Sequence, residues 1–390
     1  MIEKFEISRD DQIYEMTPDV TKTDSGKLVC LFNECTHHGD RRYTRIMQVD
    51  STDRGRTWSD KEPFTDSLYR KSSDSTEPSW NCPRIVTLSD GRLVACVDRV
   101  SGEFEGSLEE GSQEVFLWVS EDEGESWNGP RKTPVEGIVP DQLVELQNGE
   151  HADRWLLSAH TVQVNEEGED YGNLSEPGPN TLWKQRVWYS DDEGQRWHGP
   201  IDIAAEEGLA LCEGSIMELP AGELVCFLRE NSGRGLDCFK AISEDGGESW
   251  EGVYEMPLPG CHRPVAGLLN DGKVMITHRF MQGGSGWVGW WTQNTFAALT
   301  DVESCLARKR DGAHTRIKPL DYDRSPKADC GYTGWVQFDD GEIYVVNYIV
   351  DDARATPVRE PADYEGDYEE VPRAQIRGYS LHEDDFLVTT

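Results

Sequence analysis

The chain has 390 residues, of which 74 are acidic and 38 basic, and its formal net charge at pH 7 is −36. A surface this negative repels nucleic acids and anionic membranes, so we expect neither as a partner. The length allows one large core, and we expect residues 1–390 to form a single domain.

The chain starts with an alternating pattern over Ile2–Ser8, which predicts a β-strand. This segment lacks the apolar stretch of an export signal, and no later run has the length of a membrane span. The ten cysteines form no close C-x-x-C pairs. We therefore expect free thiols and a cytoplasmic protein.

An octet of the form S-x-D-x-G-x-[T/S/R]-W occurs four times. The copies are Ser51–Trp58, Ser120–Trp127, Ser190–Trp197 and Ser243–Trp250, and their aspartates are 69, 70 and 53 residues apart. The Asp can accept hydrogen bonds from its own turn, and the Gly can take a positive φ. The Trp is large enough to join one structural unit to the next. Long periods of this kind predict a solenoid, a propeller or an array.

Short apolar runs joined by glycine-containing turns predict β-hairpins between the octets. These turns occur at Gly26, Gly91, Gly149, Gly222, Gly272 and Gly341. No segment has a sustained helical period, and the charged stretch Asp301–Asp323 is predicted to be an irregular link between the fifth and sixth units. The pattern predicts an all-β fold, a six-bladed β-propeller whose ring is closed by the N-terminal strand.

Octets of this form on a six-bladed propeller resemble the sialidase (neuraminidase) superfamily, whose members carry BNR or Asp-box repeats. The resemblance covers nearly the whole chain and implies the same fold. In that family the boxes lie on the face away from the active site. The resemblance therefore implies that the octets are scaffold.

Two segments resemble the catalytic pattern of that family. Cys212–Asn231 resembles the segment in which a glutamate opens one strand and an arginine closes the next, which implies that Glu213 is the base and Arg229 binds a carboxylate. Cys330–Val336 resembles the segment with the tyrosine nucleophile, which implies that role for Tyr332. Two simpler alternatives are that Glu213 and Arg229 form a structural ion pair and that Tyr332 only lines the channel.

The arginines of the family pattern are incomplete. Met16 stands where the family has a carboxylate-binding arginine in the first blade. Arg84, on the next blade, could replace that arginine from a neighbouring position. Arg263 and Arg279 are the two candidates for the arginine of the fifth blade, and neither aligns cleanly.

The candidate acids lie in the first-blade loop. The family's acid is an aspartate ahead of the first octet, and Asp40 lies near that place in competition with His38 and Tyr43. Histidine is the usual residue for proton transfer near neutral pH. His160 and His262 also fall at predicted strand ends, so we treat His160 as a candidate for substrate binding and His262 as a catalytic candidate.

Four cysteines open predicted inner strands, namely Cys82, Cys212, Cys261 and Cys330. With the histidines they could form a zinc site. Small, soft cysteines more often fill space where blades converge. We expect neither a metal nor another cofactor.

These residues predict a carbohydrate-active enzyme, an exo-glycosidase that releases a terminal acidic or related sugar from a glycan. Tyr332 is the predicted nucleophile, Glu213 its base, and Asp40 or His38 the proton donor. One alternative is a polysaccharide lyase, in which His262 or His160 removes the proton next to a uronate carboxylate and Tyr332 is the acid. Another is a glycan-binding propeller without catalysis. The sequence leaves the sugar, its linkage and the oligomeric state open.

Overall fold

The computed structural model describes residues 2–71, 77–101, 113–164, 181–232, 234–281, 293–325, 328–351 and 373–387. Their strands form six antiparallel sheets, each of which is one blade of a propeller. Outside the strands lie the short helix α1, Val302–Leu306, and 3-10 turns at Gly149–His151, Arg310–Gly312 and Glu383–Phe386. Among the described residues, no helix has the length and apolarity to cross a membrane.

Blades one to three contain the following strands: β2 Tyr14–Lys22, β3 Leu28–His37, β4 Asp40–Ser51, β5 Glu62–Pro63 and β6 Leu68–Tyr69; β7 Ser79–Thr87, β8 Leu93–Val100, β9 Gln113–Ser120 and β10 Asn128–Glu136; β11 Val144–Glu145, β12 Trp155–Val164, β13 Thr181–Ser190 and β14 His198–Ala204.

Blades four to six contain the remaining strands: β15 Leu211–Glu218, β16 Leu224–Glu230, β17 Asp237–Ser243 and β18 Glu251–Pro259; β19 Cys261–Leu268, β20 Val274–Met281, β21 Gln293–Thr300 and β22 Arg316–Tyr322; β23 Cys330–Gln337, β24 Ile343–Ile349, β25 Gln375–Leu381 and the N-terminal strand β1, Glu3–Ser8.

The first and last parts of the chain share one blade. Strand β1 pairs antiparallel with β25, with Phe5 opposite Gly378, which confirms the predicted closure of the ring. A large apolar cluster also joins the first blade to the sixth and includes Phe32, Tyr344 and Tyr348. Hydrogen bonds of β1 and buried apolar area therefore both close the ring where the first blade meets the sixth.

All six predicted hairpin turns are present. Gly26, Gly91, Gly149, Gly222, Gly272 and Gly341 each have a positive φ between the first and second strand of a blade. The prediction for Asp301–Asp323 is wrong, because this stretch contains α1 and β22, the outer strand of the fifth blade. An outer strand is solvated on much of its surface, so it carries the charged residues that made the stretch look irregular.

The octets form compact turns at the end of the third strand. In the first copy, Ser51 Oγ accepts from the amide of Gly55 at 2.8 Å, and Asp53 Oδ1 accepts from the amide of Thr57 at 2.8 Å. Trp58 Nε1 donates to the Gly55 carbonyl at 3.2 Å, and its ring packs 6.2 Å from that of Tyr344 in the sixth blade. The octet thus ties its own blade to the preceding one.

The inner strands share a distortion at their starts. The pairing register slips by the same step in five blades, between Met16 and Asp19, Trp80 and Pro83, Cys212 and Ser215, His262 and Val265, and Cys330 and Thr333. Such β-bulges bend a strand and re-aim its side chains. In an antiparallel blade this end lies opposite the octet turns, so bulges and octets occupy opposite faces of the ring.

Candidate active site

The bulges of the fourth and sixth blades bring Glu213 and Tyr332 together. Glu213 has φ +48° and Gly331, just before the tyrosine, has φ +98°, so both backbones leave the ordinary strand conformation at this point. The Tyr332 hydroxyl donates to Oε1 of Glu213, across 119 residues of sequence. Tyr332 is 8% exposed and Glu213 is 5% exposed. The contact predicted between these two residues is therefore present, in a nearly buried setting.

Arg229 completes this contact from the neighbouring strand. Its Nη1 lies 2.6 Å from Glu213 Oε1 and 3.3 Å from the Tyr332 hydroxyl oxygen. Burial by itself raises the pKa of Glu213, but the charge and hydrogen bond of Arg229 outweigh burial and lower the pKa to about 2. Burial and the Glu213 charge raise the pKa of Tyr332. At neutral pH the site therefore holds a carboxylate next to a protonated phenol.

Two further arginines flank the tyrosine ring. The guanidinium carbon of Arg279 lies 5.0 Å from the ring centroid of Tyr332, and that of Arg263 lies 5.9 Å from it. Arg263 Nη2 donates to the Pro140 carbonyl at 2.9 Å. Within the described part of the chain, Arg263 Nη1 and Arg279 Nε have no hydrogen-bond partner although both are buried. Each of these two arginines therefore has an unused hydrogen-bond donor next to Tyr332.

His160 and His262, two of the three predicted site histidines, occupy different positions. His160 Nδ1 accepts from the Glu213 amide at 3.4 Å, and its ring stacks on Trp183 at 5.9 Å. Burial lowers the pKa of His160 to about 4, so this ring is neutral at pH 7. His262 is also buried, and burial together with the charge of Arg229 lowers its pKa well below the usual value. No described residue hydrogen-bonds to Nδ1 of His262.

The structure places Arg84 against Asp19 and strand β23, and its role as a substitute for the missing arginine stays a prediction. Its Nε lies 3.4 Å from Asp19 Oδ2, and its Nη1 donates to the Thr333 carbonyl at 2.9 Å. These contacts hold Arg84 beyond Tyr332 along β23, with its charge balanced by Asp19. Met16 is buried, with its sulfur 3.7 Å from Cys35 Sγ, so this position supplies no guanidinium.

The candidate acids lie at the turn between β3 and β4. Asp40 starts β4 and pairs with His37, and its side chain lies outside the described part of the structure. His38 binds through Nδ1 to Oδ2 of Asp329, a residue that the sequence analysis missed. Asp329 also accepts from the Tyr14 and Tyr348 hydroxyls, each at 2.6 Å. The one available signal was its place directly before the Cys330–Val336 segment.

The cysteines at the inner strands are space-filling thiols in this structure. All ten cysteines lie in the described part, and all are buried and free of disulfides. Burial raises the pKa of Cys82, Cys212, Cys261 and Cys330, which keeps these thiols protonated. No group of three or more His, Cys, Asp or Glu side chains suited to a metal ion occurs among the described residues.

The fold and the site define a six-bladed propeller whose hub holds a Tyr–Glu pair among arginines. Residues 68–345 match the family described as a BNR repeat-like domain. Because this match covers well over half of the chain, the protein belongs to that family, with the sialidase-like form of the propeller.

Individual proteins are more distant. A sialidase from Paraclostridium sordellii is 23% identical over 253 residues, which cover 56% of this chain and 57% of the relative. The chain thus matches little more than half of that protein. A crystal structure of a protein of unknown function from Dyadobacter fermentans has a TM-score of 0.70 at 20% identity, over 98% of this chain and 99% of the other.

An intramolecular trans-sialidase from Ruminococcus gnavus, solved with oseltamivir carboxylate, has a TM-score of 0.62 at 15% identity. That alignment covers 97% of this chain and 96% of the other. At these identities the two solved structures support the fold alone.

Proposed function

We propose that the protein is a retaining glycoside hydrolase that releases a terminal acidic sugar. The observation that carries this proposal is the Tyr332 hydroxyl, which donates to Glu213 and lies among three guanidinium groups. The similarity to a protein named a sialidase supports the same class of reaction.

The pair has the charges that the reaction needs. As the Tyr332 oxygen forms a bond to the anomeric carbon, its proton passes to Glu213, and the bond to the departing oxygen breaks. That oxygen takes a proton from an acid at the mouth of the hub. Water then attacks the anomeric carbon, and the phenol regains its proton as it leaves.

The arginines indicate an anionic substrate. Arg229, Arg263 and Arg279 bring three positive charges to one ring in a chain with net charge −36. A guanidinium binds a carboxylate through two parallel hydrogen bonds, and buried donors without partners gain most from such a ligand. We infer that Arg263 Nη1 and Arg279 Nε are the donors still available for this purpose.

The test is a panel of aryl glycosides of acidic sugars with wild type and two variants. Tyr332→Phe removes the nucleophile, and we expect kcat/KM to fall by about 10³-fold or more. Glu213→Gln removes the base, with an expected fall of about 10²–10⁴-fold. Tyr254→Phe is the matched control, because its hydroxyl contacts Glu251 on the outer strand β18, away from the hub. Full activity of Tyr332→Phe, or a wild type inactive on every acidic glycoside, would overturn the proposal.

A lyase remains the second candidate because His262 is neutral and its Nδ1 is unsatisfied among the described residues. A lyase product contains a new carbon–carbon double bond that absorbs ultraviolet light, whereas a hydrolase product does not. Incubation with uronate polymers and one absorbance measurement therefore distinguish the two reactions. Retained glycan affinity with no product in either assay would instead favour a binding module.

A further inference from the structure

A second polar cluster lies beside the Tyr–Glu pair, at the junction of the first and sixth blades. His38 Nδ1 binds Oδ2 of Asp329, and the two residues are 291 positions apart in the chain. Among the described residues, the Tyr14 and Tyr348 hydroxyls also donate to this carboxylate. The His38 side chain is 34% exposed and that of Asp329 only 13%. A buried carboxylate thus holds one edge of a more accessible imidazole ring.

The hydrogen-bond partners determine which atoms of this cluster carry protons. Burial would raise the pKa of Asp329, but His38 and the nearby Arg279 outweigh burial and lower it. A carboxylate only accepts hydrogen bonds, so Nδ1 of His38 must be the donor. No described residue bonds to Nε2, which leaves that nitrogen for a ligand. A carboxylate in this position orients the imidazole ring.

Both residues are held in place by their own loops. The His38 carbonyl accepts from Arg41 Nε at 3.1 Å, which braces the turn between β3 and β4. The Asp329 amide donates to Asp323 Oδ2 at 3.0 Å. Because both anchors are inside the folded ring, the pair formed by His38 and Asp329, called the dyad below, is preorganised before any ligand binds.

The dyad is part of the same hub wall as the tyrosine. Asp329 Oδ1 lies 3.8 Å from Arg279 Nη1, and Arg279 covers the ring of Tyr332. The ring of Tyr348, which binds Asp329, lies 6.2 Å from that of Tyr332. Glu213 approaches the same tyrosine from the fourth blade. The dyad and the base therefore reach the hub from different blades.

We propose that His38 is the proton donor for the departing oxygen and that Asp329 is its positioning residue. This role rests on the proposed hydrolase function. As the glycosidic bond breaks, its electron pair stays on the departing oxygen, which takes the proton from His38 Nε2. In the second half, water attacks the anomeric carbon, His38 takes a proton from that water, and Tyr332 leaves and regains its proton from Glu213.

The leaving group tests this assignment. A nitrophenolate departs without a proton, whereas an alkoxide requires one, so we compare a nitrophenyl glycoside and a methyl glycoside of the same acidic sugar. For His38→Asn we expect kcat on the methyl glycoside to fall by about 10²-fold or more and on the nitrophenyl glycoside by less than about 10-fold. Asp329→Asn should show the same preference. His151→Asn, on the octet face, is the control and should change neither rate.

The outcomes separate the two proposals. Equal losses on both substrates in His38→Asn mean that the dyad is structural and overturn the inference. If Asp40→Asn is selectively slow on the methyl glycoside while His38→Asn is not, Asp40 is the acid and the inference is wrong. A wild type that cleaves neither substrate refutes the hydrolase itself. Thermal unfolding checks that each variant folds, and if Asp329→Asn does not, the partly exposed His38 carries the test alone.

Discussion

Gly331 occupies a sterically restricted position in the candidate site, directly before Tyr332. Its φ is +98°, and a Cβ placed there would lie 2.4 Å from Arg279 Cβ and 2.8 Å from Arg279 Cα. The left-handed backbone costs an alanine about 1–3 kcal/mol. Displacing a neighbouring backbone adds about 1–3 kcal/mol more. We therefore expect Gly331→Ala to lower the free energy of unfolding by about 2–6 kcal/mol. We also expect it to displace Arg279 and Tyr332 from their positions in the site.

Gly341 is the matched control in the same blade. Its φ is +88°, but no atom lies within 4 Å of the added Cβ. Gly341→Ala should therefore show only the backbone cost of about 1–3 kcal/mol and keep wild-type turnover. Urea denaturation measures both free energies, and their difference isolates the contact with Arg279. Equal losses in the two variants, or full activity in Gly331→Ala, would refute the reasoning.

Three further predictions concern charge and scaffold. The pKa of Glu213 is lowered from 4.5 to about 2 in the folded state, so its carboxylate stabilises the fold above pH 4.5 and that contribution disappears as the pH falls towards 2. The free energy of unfolding of Glu213→Gln, measured by urea denaturation, should therefore depend less on pH over this window than that of the wild type. Parallel pH curves for the two proteins would contradict this. The net charge of −36 makes the acidic side chains of the surface repel one another, and added salt screens this repulsion. The melting temperature should therefore increase between about 0.05 and 0.5 M NaCl. A melting temperature that stays constant or falls over this range would contradict the prediction. Asp245→Ala removes the acceptor for the Ser249 amide and the Ser243 hydroxyl on the octet face. It should lower the free energy of unfolding by about 1 kcal/mol without changing turnover. A loss of turnover would show that this face has a role beyond that of a scaffold.

The fold was predictable because its signals are local and repeated. Each octet satisfies its own turn within eight residues, and each Gly-containing hairpin needs only its two flanking strands. The outer strand β22 escaped prediction because its burial depends on neighbours that the sequence of Arg316–Tyr322 does not reveal. Strand β1 was predictable because an alternating segment outside the ring must pair with an open edge.

The candidate site was only partly predictable because its contacts are not local. Glu213 and Tyr332 were found through resemblance to a family, and no local pattern joins two residues that are 119 positions apart. Asp329 was missed for the same reason, since its partners Tyr14 and His38 lie 315 and 291 residues away. The orientation of Arg84 likewise depends on a buried partner, Asp19, that the sequence does not reveal.

Under the proposed function, the distribution of charge around Tyr332 also orients the substrate. Arg229, Arg263 and Arg279 come from the fourth and fifth blades, so the acidic group of the sugar faces that side of the hub. The first blade has buried Met16 where a further arginine could stand, and its His38 binds Asp329 at the junction with the sixth blade. With His38 as the proposed proton donor, the departing oxygen would point towards the first blade. Substitution of first-blade residues should thus change how the rate depends on the leaving group. Substitution of the three arginines should change how it depends on the acidic group.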